Sequence, residues 1–105
     1  MVEFTKSADK LLCLLYKTFL ERRKSGMSSR MAKRFDSSFL ESNDELSSWH
    51  RDDAVDALLE LARMKYVKTF IGGDFDLEDP AIIFMENRFK NGLKDVVGFL
   101  SQFIP

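Results

Sequence analysis

The side chains that can serve as nucleophiles, acid-base groups or metal ligands are few in this chain. It has one histidine, His50, and one cysteine, Cys13, which lies within the apolar run Leu11 to Tyr16. A cysteine in such a run is expected to be a buried, reduced thiol, and a lone histidine is not a metal site. The sequence has neither a phosphate-binding glycine loop nor a nucleophile elbow. We therefore predict a protein that is not an enzyme and that carries no cofactor or metal.

The acidic run from Asp74 to Asp79 has a superficial likeness to a calcium-binding loop. In an EF-hand pattern starting at Asp74, the sixth position is Asp79 rather than glycine, and the twelfth is Met85 rather than glutamate. The pattern therefore predicts turn and helix-cap residues here, and no calcium site.

Positive and negative charges are separated along the chain. Residues 1–40 hold nine Lys and Arg against four Asp and Glu, whereas residues 41–79 hold four against eleven. Six basic residues fall between positions 22 and 34 with no acid among them: Arg22, Arg23, Lys24, Arg30, Lys33 and Arg34. The first three are expected to complement the negative end of a helix dipole. The other three are either contacts for an anionic partner or an ordinary solvated face.

The length and composition predict one domain spanning residues 1–105, because a chain of this size buries a single core. Its start, MVEFTK, has no basic signal region, and its longest apolar run is far shorter than the roughly 20 residues of a membrane span. We expect a cytoplasmic protein with no membrane contact.

The spacing of apolar residues predicts two helices in the first third of the chain. A first helix is expected from a cap at Thr5 or Ser7 to Lys24, and a short second helix from Ser28 or Ser29 through Phe35. Residues 36–47 mix turn formers with apolar residues in no clear period, so their conformation is left open.

A third helix followed by a β-hairpin is predicted next. Caps at Ser47 or Ser48 start a helix that ends near Lys65, with an apolar stripe formed by Ala54, Val55, Leu58, Leu61 and Ala62. Trp49 either holds the start of this helix against the core or anchors a partner. The segment from Tyr66 to Ile71 favours a strand, and Gly72-Gly73 supplies a tight turn before a return strand.

A long C-terminal helix is expected to start at Asp79-Pro80, with a kink near Gly92 as one option. Its two lines of apolar residues exceed what one core needs, which predicts a homodimer. The alternative is that a helix lying across the whole domain uses both lines within one subunit. The candidate interface residues are Phe89, Leu93, Val97, Leu100 and Ile104.

The runs WHRDDAVDALLELARMKYVKTF and FDLEDPAIIFMENRFKNGLKDVVGFLSQF resemble the small winged-helix proteins of Gram-positive bacteria and their phages, and are similar to the YjcQ family. The resemblance covers most of the chain. Together with the order helix, hairpin, helix, it predicts a mostly helical α+β winged helix with a long C-terminal helix.

The resemblance implies a DNA-binding transcriptional regulator in which the third helix enters a major groove. Candidate contacts to duplex DNA are Arg30, Lys33, Arg34, His50 and Arg51. Acids at Asp52 and Asp53 and at the hairpin would repel phosphates. The alternative is a winged-helix scaffold that binds a basic protein through its acidic third helix and wing.

Overall fold

The apolar run in the first helix forms the centre of the molecule. The computed structural model describes residues 3–103 and has a mostly helical α+β fold with a three-stranded antiparallel sheet. The helices are α1 (Lys6–Lys24), α2 (Ser29–Ala32), α3 (Phe39–Ser42), α4 (Arg51–Arg63), α5 (Asp79–Arg88) and α6 (Leu93–Leu100). The strands are β1 (Arg34–Phe35), β2 (Val67–Thr69) and β3 (Phe75–Leu77), and 3₁₀ turns cover Asp44–Leu46 and Ser101–Phe103.

Helix α1 is covered on all sides, because every residue from Leu11 to Tyr16 is buried. Six consecutive buried residues span more than one helical turn, so α2, α4, α5 and α6 must surround the helix. Its predicted start is confirmed: the Thr5 hydroxyl accepts a hydrogen bond from the Ala8 N–H. Its predicted end at Lys24 is also confirmed, with Gly26 following at φ +101°.

The predicted hairpin is present and forms two of the three strands. The strand order is β1-β3-β2, and Lys68 of β2 lies opposite Asp76 of β3. Gly73 has φ +98°, and a Cβ there would lie 2.9 Å from the Cβ of Ser37. The Ser37 N–H also donates to the Asp74 carboxylate over 2.9 Å, so the hairpin tip is attached to the loop before α3.

The predicted second helix is too long. Helix α2 ends at Ala32, and Arg34 and Phe35 pair with β3 instead of extending the helix. The ring of Phe35 stacks on that of Phe75 at 5.2 Å, so burial against the sheet overrides the local helical pattern. The Arg22 guanidinium donates to the carbonyl oxygens of Ala32 and Arg34 and thereby joins α1 to this segment.

The start of α4 differs from the prediction. His50 is the residue before the helix, whereas the Ser47 hydroxyl donates to the Asp44 carbonyl and closes the preceding 3₁₀ turn. The buried stripe of α4 consists of Ala54, Ala57, Leu58 and Leu61, with the predicted Val55 and Ala62 only half-buried. The half-buried Trp49 packs against the core.

The expectation of one continuous C-terminal helix is wrong, whereas an interruption near Gly92, the predicted option, is present. The chain forms two helices, α5 and α6, because the backbone leaves helical geometry at Phe89 and Gly92. Gly92 has φ 64° and ψ −126°, a combination that is restricted almost entirely to glycine. The break lets α5 and α6 each pack against α1. Glu78 occupies the position before α5, so Asp79 and Pro80 are its first two residues.

An ion pair fixes the end of α5 to α1. Both carboxylate oxygens of Asp9 accept from the Arg88 guanidinium, at 2.6 and 3.1 Å. The guanidinium also lies over the rings of Phe89 and Phe99, at 4.9 and 4.6 Å from their centroids. Because both partners are largely shielded from water, removal of either one would leave a poorly solvated charge and destabilise the contact between α1 and the end of α5.

Within residues 3–103, no helix combines the length and the apolar character that a membrane crossing requires.

Replacing Gly92 and Gly98 by alanine should have opposite effects on stability. Gly92→Ala is expected to cost about 1–3 kcal/mol of unfolding free energy, because alanine disfavours this backbone conformation. Gly98 lies within α6 in open space, so Gly98→Ala should add up to about 1 kcal/mol through helix propensity. Urea unfolding followed by circular dichroism measures both changes. A Gly92→Ala variant as stable as the wild type would contradict the backbone assignment.

Candidate functional site

The residues capable of covalent or acid-base chemistry are not assembled into a site. Cys13 is buried in α1, whereas His50 is exposed just before α4. Among the residues that the structure describes, no three His, Cys, Asp or Glu side chains are grouped as metal ligands. Burial and, next, the negative charge of Asp9 raise the pKa of the Cys13 thiol to about 12. At neutral pH this thiol is therefore protonated and a poor nucleophile.

The predicted basic set of α2 lies beside the hairpin and is largely paired with its acids. The Lys33 ammonium lies 2.8 Å from the Asp79 carboxylate, and the Arg34 guanidinium binds the Asp76 carboxylate. Residues of α2, β1 and β3 line a groove of about 350 Å³. Arg30 contributes an exposed cation to this groove. Ion pairing leaves this surface with much less positive charge than its sequence indicates.

The two basic candidates at the start of α4 are separated by their contacts. The Arg51 guanidinium forms an ion pair with the Glu41 carboxylate of α3. His50 contributes no side-chain hydrogen bond to the helix start. The structure thus brings Arg30, Lys33 and Arg34 together on one side, and places His50 and Arg51 on a different segment.

A second groove, of about 350 Å³, lies between the start of α1 and the outer face of α4. We call it the α1/α4 groove and define it by its lining residues: Thr5, Ser7, Asp53, Asp56, Ala57, Leu59, Glu60 and Arg63. The Glu60 carboxylate accepts from the N–H and the hydroxyl of Thr5, at 3.0 and 2.9 Å. These bonds fix the first turn of α1 beside α4 and so form one wall of the groove.

The acids of the α1/α4 groove differ in how they are partnered. Glu60 is bound by Thr5, but within residues 3–103 neither Asp53 nor Asp56 has a side-chain hydrogen bond or ion pair. Both are exposed, and Leu59, about one turn after Asp56 on α4, is 44% exposed. The three acids of the lining outnumber the Arg63 guanidinium, so the groove offers net negative charge beside an apolar contact. The sequence does not indicate this groove, because no local pattern shows that Thr5 meets α4.

The predicted dimer residues are distributed between the core and the surface. Phe89 and Leu100 are buried within the chain, and Leu93 is half-buried. Val97 is 44% exposed, and Ile104 lies outside the described residues. Phe89 and Leu100 are thus covered by the chain's own residues, and dimerisation stays a prediction.

Comparison with protein-family models, with curated proteins and with solved structures finds no match.

The raised pKa of Cys13 predicts a loss of stability in alkali. The unfolded thiol loses its proton near pH 9.0, whereas the folded thiol keeps it to about 12. Deprotonation therefore favours the unfolded state in this window, and the unfolding free energy should fall by about 1.4 kcal/mol per pH unit. Below pH 9 this contribution is constant.

The measurement compares urea unfolding of the wild type and of Cys13→Ala from pH 8 to pH 11. The variant should lose part of the alkaline slope, because every other ionising group is common to both proteins. Equal slopes in the two proteins would contradict the shift.

Proposed function

We propose that the chain is a winged-helix scaffold that serves as a protein-interaction module and binds a basic segment of a partner protein in the α1/α4 groove. The scaffold assignment is supported by the order of elements. Helix α4 leads directly into the β2-β3 hairpin, and the short β1, which comes from between the first helices, completes the sheet as β1-β3-β2.

The observation that carries the proposal is the unpaired acidity of α4. Asp53 and Asp56 are exposed without side-chain partners among residues 3–103, while Lys33, Arg34 and Arg51 are each paired with a carboxylate. Charges without an internal partner are the ones available for an external partner. A lysine or arginine of the partner, next to an apolar side chain over Leu59, complements this groove.

DNA binding by α4 stays a prediction and is less well supported by the same geometry. A helix entering the major groove would bring its exposed face, with Asp52, Asp53 and Asp56, close to phosphates. The acids around the hairpin are less available, because Asp76 is paired with Arg34, Asp79 at the start of α5 is paired with Lys33, and Asp74 accepts from the Ser37 N–H. We therefore assign the proposed acidic surface to α4.

The experiment compares a short peptide with alternating arginine and leucine and a random-sequence DNA duplex, both fluorescently labelled, as ligands at about 50 mM salt. The wild type is expected to bind the peptide and not the duplex. The double variant Asp53→Asn, Asp56→Asn should bind the peptide about tenfold more weakly, since two charge contacts are removed.

The matched control is Glu21→Gln with Glu86→Gln, which removes two exposed charges outside the α1/α4 groove. This control should bind the peptide as the wild type does. Equal weakening in both double variants would show non-specific attraction and contradict the proposal. Salt-sensitive binding of the duplex that is lost in Arg30→Ala with Lys33→Ala would instead support the DNA-binding regulator.

A further inference from the structure

We propose that the open edge of β2 binds an extended acidic segment of a partner protein, which adds to the sheet as a fourth strand. The sheet order β1-β3-β2 leaves β1 and β2 as its two outer strands. An outer strand presents unpaired N–H and C=O groups, and strand addition is a recurrent mode of peptide recognition.

The hydrogen-bond alternation identifies which backbone groups are available. The Glu78 N–H donates to the Tyr66 carbonyl, and the Phe70 N–H donates to the Asp74 carbonyl. Residues 66, 68 and 70 therefore turn their backbone groups toward β3. The N–H and C=O groups of Val67 and Thr69 consequently point away from β3. Val67 is only 3% exposed, so the accessible groups at the open edge are those of Thr69.

The opposite edge of the sheet is closed. Just before β1 the Lys33 carbonyl accepts from the Leu77 N–H, so Lys33 turns its backbone groups toward β3. Because successive residues of a strand alternate, the backbone groups of Arg34 point to the outer edge. The Arg34 carbonyl accepts from the Arg22 guanidinium at 2.6 Å, so α1 occupies this edge. Of the two outer strands, only β2 is left to receive a further strand among the described residues.

The charges along the sheet indicate which kind of segment would bind at the β2 edge. Arg34, Asp76 and Lys68 lie opposite one another across the three strands, so charges alternate along this row. Arg34 and Asp76 are paired with each other, whereas Lys68 is the outermost member. An acidic residue opposite Lys68 on an added strand would continue the alternation, and opposite-charge cross-strand pairs stabilise sheets.

A second lysine lies at the same edge in an unusual backbone conformation. Lys65 has φ 67° and occupies a position just after α4 where glycine is preferred. The Lys65 N–H donates to the Ala62 carbonyl and the Tyr66 N–H to the Leu61 carbonyl, and these two bonds end the helix. Lys65, Lys68 and Glu78 line a groove of about 360 Å³ alongside β2, so the two lysines exceed the one acid of that lining. A strained lysine where glycine is favoured points to a role for its side chain.

The two lysines also argue against a second copy of this chain as the occupant. Antiparallel self-pairing of β2 would bring the Lys65 and Lys68 side chains of both copies to one shared edge. Like charges across paired strands are destabilising. An acidic partner strand is therefore the better fit, with an acid opposite Lys68 and a β-branched residue opposite the exposed Thr69.

The test uses three end-capped seven-residue peptides of valine and threonine that differ only in a central Glu, Gln or Lys. Fluorescence anisotropy should give the affinity order Glu, Gln, Lys, with about a tenfold difference between the extremes. The charge-reversal variant Lys68→Glu should invert this order, and Lys68→Gln should remove the preference. Lys94→Glu, a reversal on the exposed face of α6, is the matched control and should keep the wild-type order.

The backbone part of the proposal is tested by Thr69→Pro. Proline removes an N–H that points to the open edge and leaves the bonds between β2 and β3 intact, so peptide binding should be lost. If this variant does not fold, amide hydrogen exchange of Thr69 in the wild type gives the same information, because the bound Glu peptide should slow it.

Four results would overturn the proposal. The first is no binding of any peptide at millimolar concentration, and the second is an affinity order unchanged by Lys68→Glu. The third is binding of duplex DNA that disappears in Lys68→Glu, which would assign these lysines to a nucleic acid. Self-association that is abolished by Thr69→Pro would assign the edge to a second copy and would also overturn it.

Discussion

The complete burial of α1 is the constraint on which the rest of the structure depends. A helix with an apolar residue on every face of its middle turns is stable in water only when other elements cover all of those faces. Helices α4, α5 and α6 cover those faces. The break at Gly92 allows the C-terminal segment to pack against α1 with two separate helices, α5 and α6. The polar contacts Thr5 with Glu60 and Asp9 with Arg88 then fix α4 and α5 against α1.

The charge distribution of the folded molecule differs from that of the linear sequence. Basic residues of α2 and β1 and acidic residues of the hairpin are far apart in sequence, yet Lys33 with Asp79 and Arg34 with Asp76 bring them together. Within residues 3–103, Asp53 and Asp56 of α4 and Lys65 and Lys68 beside β2 are among the exposed charges that form no ion pair. Both proposed interactions follow from this uneven cancellation.

Much of the fold could be predicted from the sequence, because the relevant signals are local. The capped start at Thr5, the glycine after Lys24 and the Gly72-Gly73 turn each act over a few residues, and the structure has them where expected. The errors have a common cause in tertiary contacts. Phe35 leaves the predicted helix because its ring stacks on Phe75, forty residues later in the chain. Neither the α1/α4 groove nor the open edge of β2 could be predicted, since each depends on segments that meet only in three dimensions.

The attachment of the hairpin tip to the loop before α3 has a consequence for binding. The tip of the hairpin is fixed by the close approach of Gly73 to Ser37 and by the bond from the Ser37 N–H to Asp74. Its other end is fixed by the turn at Lys65 that ends α4. A hairpin held at both ends has little conformational entropy left to lose when a ligand arrives. The open edge of β2 is therefore preorganised, and the backbone of the hairpin should have nearly the same geometry with and without a bound peptide.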